Sequence, residues 1–345
     1  MDASPSKRLS TERLVVHTPD GDVFNISHTI LRFHMSKFSK TNLNSIVAAC
    51  RANAWSLTVL MASAAASPVF ASEHLLGYTH GAEPLPKGAW ELDATLTNRF
   101  DKGQGTYNAF DAVLDLEHGV SDRFTVGFGL KGMMVDTSGL IIGGYLPEEK
   151  KTGFQASGFE GELKYNVLST AKDGLGATVE FAVDYGWVDP HSGQDKNTLS
   201  FEYGLALQSY FLDGQLVWVG NGGIETSIAT RAEIEGLDPS IEWSTDPEVE
   251  LEFKVGSGLS YRFVANWFIG AEVIYETEYE TEVGQERWSF FGGPSIHYAN
   301  QDIWLTLTWM PQLWGGGEKY DGQTEDLHLI EKTKQEIRLR VGYNF

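Results

Sequence analysis

Three observations predict an all-β fold: a transmembrane antiparallel up-and-down β-barrel of about 12 strands, preceded by a cleaved signal peptide. Polar and apolar residues alternate in segment after segment from Ala89 onward. The connections between segments are short and long by turns. The chain stops inside one such segment, on the aromatic residue Phe345. Successive side chains of a strand point to opposite faces, so each segment has one greasy and one polar face.

The first segment sets Trp90, Leu92, Ala94 and Leu96 against Glu91, Asp93, Thr95 and Thr97. The second carries Phe110, Ala112, Leu114 and Leu116, and the third Phe124, Val126, Phe128 and Leu130. Phe159, Leu163 and Tyr165 mark the fourth, Val179, Phe181 and Val183 the fifth, and Phe201, Tyr203 and Leu205 the sixth. Gly220, Gly222 and Gly223 dilute the seventh. The eighth is the cleanest, with Val249, Leu251, Phe253 and Val255 against Glu248, Glu250, Glu252 and Lys254. Trp267, Ile269 and Val273 define the ninth, Trp288, Phe290 and Ile296 the tenth, and Ile303, Leu305 and Leu307 the eleventh. The twelfth puts Ile337, Leu339, Val341, Tyr343 and Phe345 on one side and Arg338 and Arg340 on the other. A last strand ending in this way, with Tyr343 and Phe345, resembles the assembly signal of Gram-negative outer-membrane barrels.

Connections after even-numbered segments are short (119–123, 169–175, 212–214, 264–266 and 299–302), and those after odd-numbered segments are mostly longer. Such sorting, with both termini on the short-loop side, is the pattern of a membrane barrel. A soluble sandwich has no reason to produce it. Hydrocarbon offers no partner to backbone groups, so strands persist there only as a ring without edges. Aromatic residues near segment ends, Trp90, Trp187, Trp267, Trp288, Trp304 and Trp309 among them, suit the two interfacial girdles.

The bulk numbers agree. The chain holds 26 Lys+Arg against 47 Asp+Glu, a net charge of −21, and so acidic a chain repels nucleic-acid phosphates. Its mean hydropathy of −0.22 argues against a bundle of membrane helices. The apolar run Ala54 to Ala66 is shorter than the roughly 20 residues of a spanning helix. It has instead the layout of a secretory signal, with Lys37, Lys40 and Arg51 before it and small residues at Val69 and Ala71. We therefore expect an upstream, disordered extension over 1–34, a signal peptide over 35–71 cleaved between Ala71 and Ser72, a periplasmic segment over 72–88, and the barrel over 89–345. The lone cysteine, Cys50, falls before the cut, leaving a mature chain without thiol chemistry.

Three short motifs carry a resemblance: Leu85-Pro86-Lys87-Gly88, Asp101-Lys102-Gly103-Gln104-Gly105, and Gly119-Val120-Ser121-Asp122-Arg123-Phe124. With them the chain resembles an uncharacterised, porin-like family of Gram-negative outer-membrane barrels over about 84–345. The resemblance implies a fold and a location, not a chemistry. Outer-membrane lipid, lipopolysaccharide and the barrel-assembly machinery are the partners implied, and no cofactor is expected.

Function in a barrel resides on inward positions. Pairing the eighth and ninth strands about the turn at 264–266 sets Glu252 opposite Glu278, Glu250 opposite Glu280, and Glu248 opposite Glu282. Like charges across a ladder repel, so basic groups, cations or protonation must offset them. The cluster predicts a cation-attracting mouth, with a loose Ca²⁺ or Mg²⁺ site or a plain solvated acidic face as alternatives. At the closing seam Glu91 and Asp93 face Glu117 and Asp115, with Arg338 and Arg340 beside them, and salt bridges are expected there. The favoured function is a porin-like channel for small cationic or neutral solutes with an acidic lumen. A closed structural or surface-interaction barrel is the alternative, and a lipid-modifying enzyme a second. For the enzyme reading, Ser295 and His297 share a face, but it is the inner one; no catalytic residue is assigned.

Overall fold

The structure is a computed structural model and describes residues 13–17, 23–27, 74–140, 149–234, 244–280 and 284–345. The chain divides into a unit over 1–65 and a unit over 66–345. In the first, Arg13–His17 pairs with Val23–Ser27 as a small antiparallel hairpin. The expected signal peptide and its cut at Ala71–Ser72 lie outside the described residues.

Among the described residues twelve long strands form the ring of the second unit: β1 Trp90–Phe100, β2 Thr106–Ser121, β3 Phe124–Ser138, β4 Gln155–Leu168, β5 Gly176–Val188, β6 Asp195–Phe211, β7 Leu216–Arg231, β8 Glu248–Val264, β9 Trp267–Glu280, β10 Gly284–Ala299, β11 Ile303–Gly317 and β12 Gln335–Asn344; the two-residue strand Lys150–Lys151 adds to the end of β3. Each pairs antiparallel with its neighbours in sequence, and β12 pairs with β1, so the sheet is a closed ring. The seal extends to the last residue: Trp90 and Phe345 exchange both backbone hydrogen bonds, at 3.0 and 2.9 Å. The expected alternation and strand count hold.

The ring is apolar outside and polar inside. Leu130, Tyr203, Val255 and Ile269 are more than half exposed, whereas Glu272, Thr306, Thr308 and His297 are 2% exposed or less. Lipid is the medium in which those outward side chains are buried. The expected registers also hold: Glu91 lies opposite Glu117, Asp93 opposite Asp115, Glu250 opposite Glu280 and Glu252 opposite Glu278. Strands run longer than the roughly ten residues a bilayer requires, reaching 17 in β6 and β8.

One aromatic assignment fails. Trp304 is not in a girdle; it points inward, is 1% exposed, and donates from Nε1 to Glu91 at 3.0 Å. Its parity, even-numbered beside outward Ile303 and Leu305, places it on the polar face.

Candidate functional site

The lumen is crossed at both ends. Residues 74–85, expected to be periplasmic, run inside the ring: their partners sit on inward positions of strands on opposite sides of it. His74 O accepts from Thr306 on β11 at 2.6 Å. Gly77, Tyr78 and Thr79 donate their backbone N–H groups to the Glu272 carboxylate on β9 at 2.8, 3.0 and 2.7 Å. Farther along, His80 bonds Glu180 on β5 at 2.9 Å. Ala82 donates to Gln208 on β6 at 2.8 Å, and its carbonyl accepts from Asn166 on β4 and Thr178 on β5 at 2.8 and 2.6 Å. In a ring of twelve, β11 and β5 are diametrically opposed, so the segment is a plug across the bore.

Hydrophobic burial and small wall residues explain why it stays there. Leu75 and Leu76 pack with Val217, Val219 and Phe268, all inward-facing, in a dry patch that free periplasmic leucines would lack. Burying one such side chain is worth about 1.5–3 kcal/mol. On the wall beneath, a Cβ on Gly258 would come within 2.2 Å of Leu76 and one on Gly270 within 2.6 Å. Side chains there would evict the plug. Two of the sequence motifs meet where the plug leaves: Gly88 donates to Gly119 O at 2.7 Å, and Pro86 O lies 2.2 Å from where a Cβ of Gly119 would be.

The long-loop end is crossed by residues 327–333, between β11 and β12. Leu329 and Ile330 join Tyr107, Ala109, Met133 and Val135 of β2 and β3 in one buried cluster. Lys332 reaches Glu276 on β9 at 2.8 Å, and Arg287 on β10 reaches Glu331 at 2.8 Å. Since β9 stands opposite β3, this lid also spans the bore. Lys102, from the second motif, is 1% exposed and donates to the carbonyls of Leu329, Ile330 and Lys332 at 3.2, 2.9 and 2.8 Å. Burial would raise the Glu331 carboxyl, but Arg287 holds it well below the usual carboxylate range. Burial holds His328 below the usual histidine value.

Between plug and lid lies a cavity of about 610 Å³ that reaches from Tyr78 and Arg338 to Glu331 and Lys332. Its wall presents eleven carboxylates and seven basic side chains.

The predicted acidic cluster is real in register but is not a bare acidic mouth. Glu248 pairs with Arg231, Glu250 with Lys196 at 3.3 Å, and Glu278 with Arg287 through two hydrogen bonds of 3.0 and 2.8 Å. Basic groups from neighbouring strands are thus the offset that like-charged neighbours require. Glu252 lines the cavity; the Glu280 side chain and Glu282 lie outside the described residues. Among the described residues no group of three or more His, Cys, Asp or Glu could hold a metal ion.

At the seam only part of the expected network forms. Arg340 pairs with Asp93. Arg338 instead donates to Thr97 at 2.9 Å and lies over the Tyr78 ring, 3.7 Å from its centre. Glu117 binds Lys164 at 3.2 Å, Glu91 accepts from Trp304, and Asp115 faces the cavity. Tyr343 and Phe345 are about half exposed on the lipid side. Ser295 and His297 both lie behind the plug. The Thr306 hydroxyl gives its one proton to His74 O, so His297 Nδ1 must donate to Thr306 at 2.7 Å. Neither ring nitrogen bonds Ser295, whose hydroxyl has no hydrogen-bond partner.

The residues that sequence reasoning missed are Glu272, Asn221, Lys102 and Arg287. A signal for the plug existed in Gly256, Gly258 and Gly270, inward positions of neighbouring strands left without side chains.

Solved structures share this architecture. An outer-membrane channel from Pseudomonas putida F1 superposes with a TM-score of 0.53 at 11% identity, over 76% of this chain and 98% of that one. Weaker superpositions include the β domain of the Bordetella autotransporter BrkA (0.45, 12% identity, 76% and 100%) and the NanC porin (0.39, 11%, 74% and 98%). These identities speak for the fold alone, an outer-membrane-type barrel. No curated protein matches the chain. Residues 68–345 match the family of unknown function DUF6662, and the chain belongs to that family.

Proposed function

We propose that the protein is a gated channel for small polar solutes in the outer membrane of a Gram-negative bacterium, closed at rest by its plug and weakly cation-favouring. The observation that carries this reading is the polar cavity between plug and lid. A purely structural barrel gains nothing from a bore of about 610 Å³ lined with charge, because charged groups away from bulk water are costly to maintain. The carboxylate excess on that lining favours cations over anions. Signal-directed export, surrounding lipopolysaccharide and the assembly machinery belong to the same reading.

Planar-bilayer recording is the test. Wild-type protein is expected to open rarely, and Glu272→Gln, which weakens the plug's anchor, to open often. In a salt gradient the reversal potential should have the cation sign and shrink in Glu225→Gln/Glu252→Gln. Absence of steps from both wild type and Glu272→Gln would reject the channel in favour of a closed surface barrel.

A further inference from the structure

We propose that the wall around the plug is a peptide-binding site that reads backbone, and that short peptides able to curve as the plug does are the solute class the channel admits. The inference rests on the channel reading above. Wall side chains satisfy the plug through groups every peptide possesses. Glu272 takes three consecutive N–H groups. Asn221 clasps one residue from both sides, accepting from His80 N–H at 2.9 Å and donating to His80 O at 3.0 Å. Gln208, Asn166 and Thr178 treat Ala82 the same way, one accepting its N–H and two donating to its carbonyl.

A run of N–H donors broken by carbonyl acceptors is the signature of polypeptide. Sugars and inorganic ions do not present it. Side-chain demands are three: an apolar pocket around Leu76, a glycine at position 77, where a Cβ would come within 2.5 Å of Thr308, and a carboxylate, Glu180, at His80. Glu272 is 2% exposed and Gln208 1%, so with the plug gone they would need another peptide or water to avoid being left unsatisfied. The plug is thus the resident occupant of a site that another peptide of similar length and curvature can fill.

The experiment uses full-length protein carrying Leu76→Asp, which puts a charge into the plug's apolar pocket and leaves the wall intact. Leu75→Asp replaces it if that variant does not refold. A fluorescent synthetic peptide with the sequence of residues 74–85 is the probe, read by anisotropy in detergent micelles. Saturable binding is expected, strong to Leu76→Asp and weak to wild type, and a peptide scrambled everywhere but at the positions of Leu76, Gly77 and His80 should bind comparably. N-methylation at the positions of Gly77, Tyr78 and Thr79 should weaken binding about tenfold for each N–H removed. Adding Asn221→Ala to Leu76→Asp should weaken it as well. Equal binding of the N-methylated peptide, or no binding to a folded Leu76→Asp barrel, overturns the proposal. Salt conductance of the same variant separates the two ideas: conductance without peptide binding rejects the peptide site alone, and binding without conductance rejects the channel alone.

Discussion

Plug and lid both cross the bore, yet they are held by different forces. The plug is gripped through its backbone by wall side chains, with Leu75 and Leu76 as apolar anchors. The lid is also bonded through its backbone, by Lys102 and Gln312, but adds ion pairs to β9 and β10 and an apolar cluster against β2 and β3. Both ends carry a histidine beside a carboxylate, His80 with Glu180 in the plug and His328 with Glu331 in the lid. What differs is the share of the grip that Lys and Arg ion pairs supply, which is larger at the lid.

The largest effect that could break this comparison is expected from Arg287→Ala. Arg287 is 7% exposed and meets Glu278, Glu286 and Glu331; removing one partner of a buried network costs about 3–5 kcal/mol. Urea unfolding in micelles should show that loss together with proteolysis of 318–334, while plug contacts, followed by protection of 74–85, persist. Simultaneous release of both segments would show them to be one device.

Next comes Glu272→Gln, in which an N–H group replaces an oxygen opposite backbone N–H donors. Two weakened charged hydrogen bonds amount to about 3 kcal/mol. Proteolysis should then cut 74–85 and spare the lid.

The third prediction concerns pH. His328 is a base whose value burial lowers from 6.5 despite Glu331 at 3.9 Å. The undocked lid therefore binds more protons than the docked one, so docking is full above pH 6.5 and weakens as pH falls below it. Lid proteolysis should accelerate over that range, and His328→Gln should flatten the dependence. An unchanged profile would remove His328 from the account. Glu331 adds a separate loss that begins as pH falls below 4.5, its ordinary value, because Arg287 holds the docked carboxyl well below it.

Smallest is Tyr78→Phe, which deletes the 2.6 Å hydrogen bond donated to Glu336. A loss of about 1 kcal/mol in plug retention is expected, seen as a modest rise in open probability.

Strand count, facing and register were legible in the sequence because period-two alternation and tight turns determine them locally. Glu252 opposite Glu278 and Asp93 opposite Asp115 follow from counting outward from a turn. What crosses the bore was not legible. Residues 74–85 and 318–334 have no periodicity, and their partners lie as much as 266 positions away along the chain, as for His74 and Arg340. The seam shows the same limit: Arg338 and Arg340 face inward as read, but Arg338 chose the Tyr78 ring, which no strand pattern predicts. Trp304 was misplaced by its residue type when its parity already pointed inward.

The strand that pairs with β1 to close the cylinder also reaches into its bore. Because Arg338 and Arg340 on the last strand lie against Gly77 and His74, the stave that completes the cask is also the one that corks it.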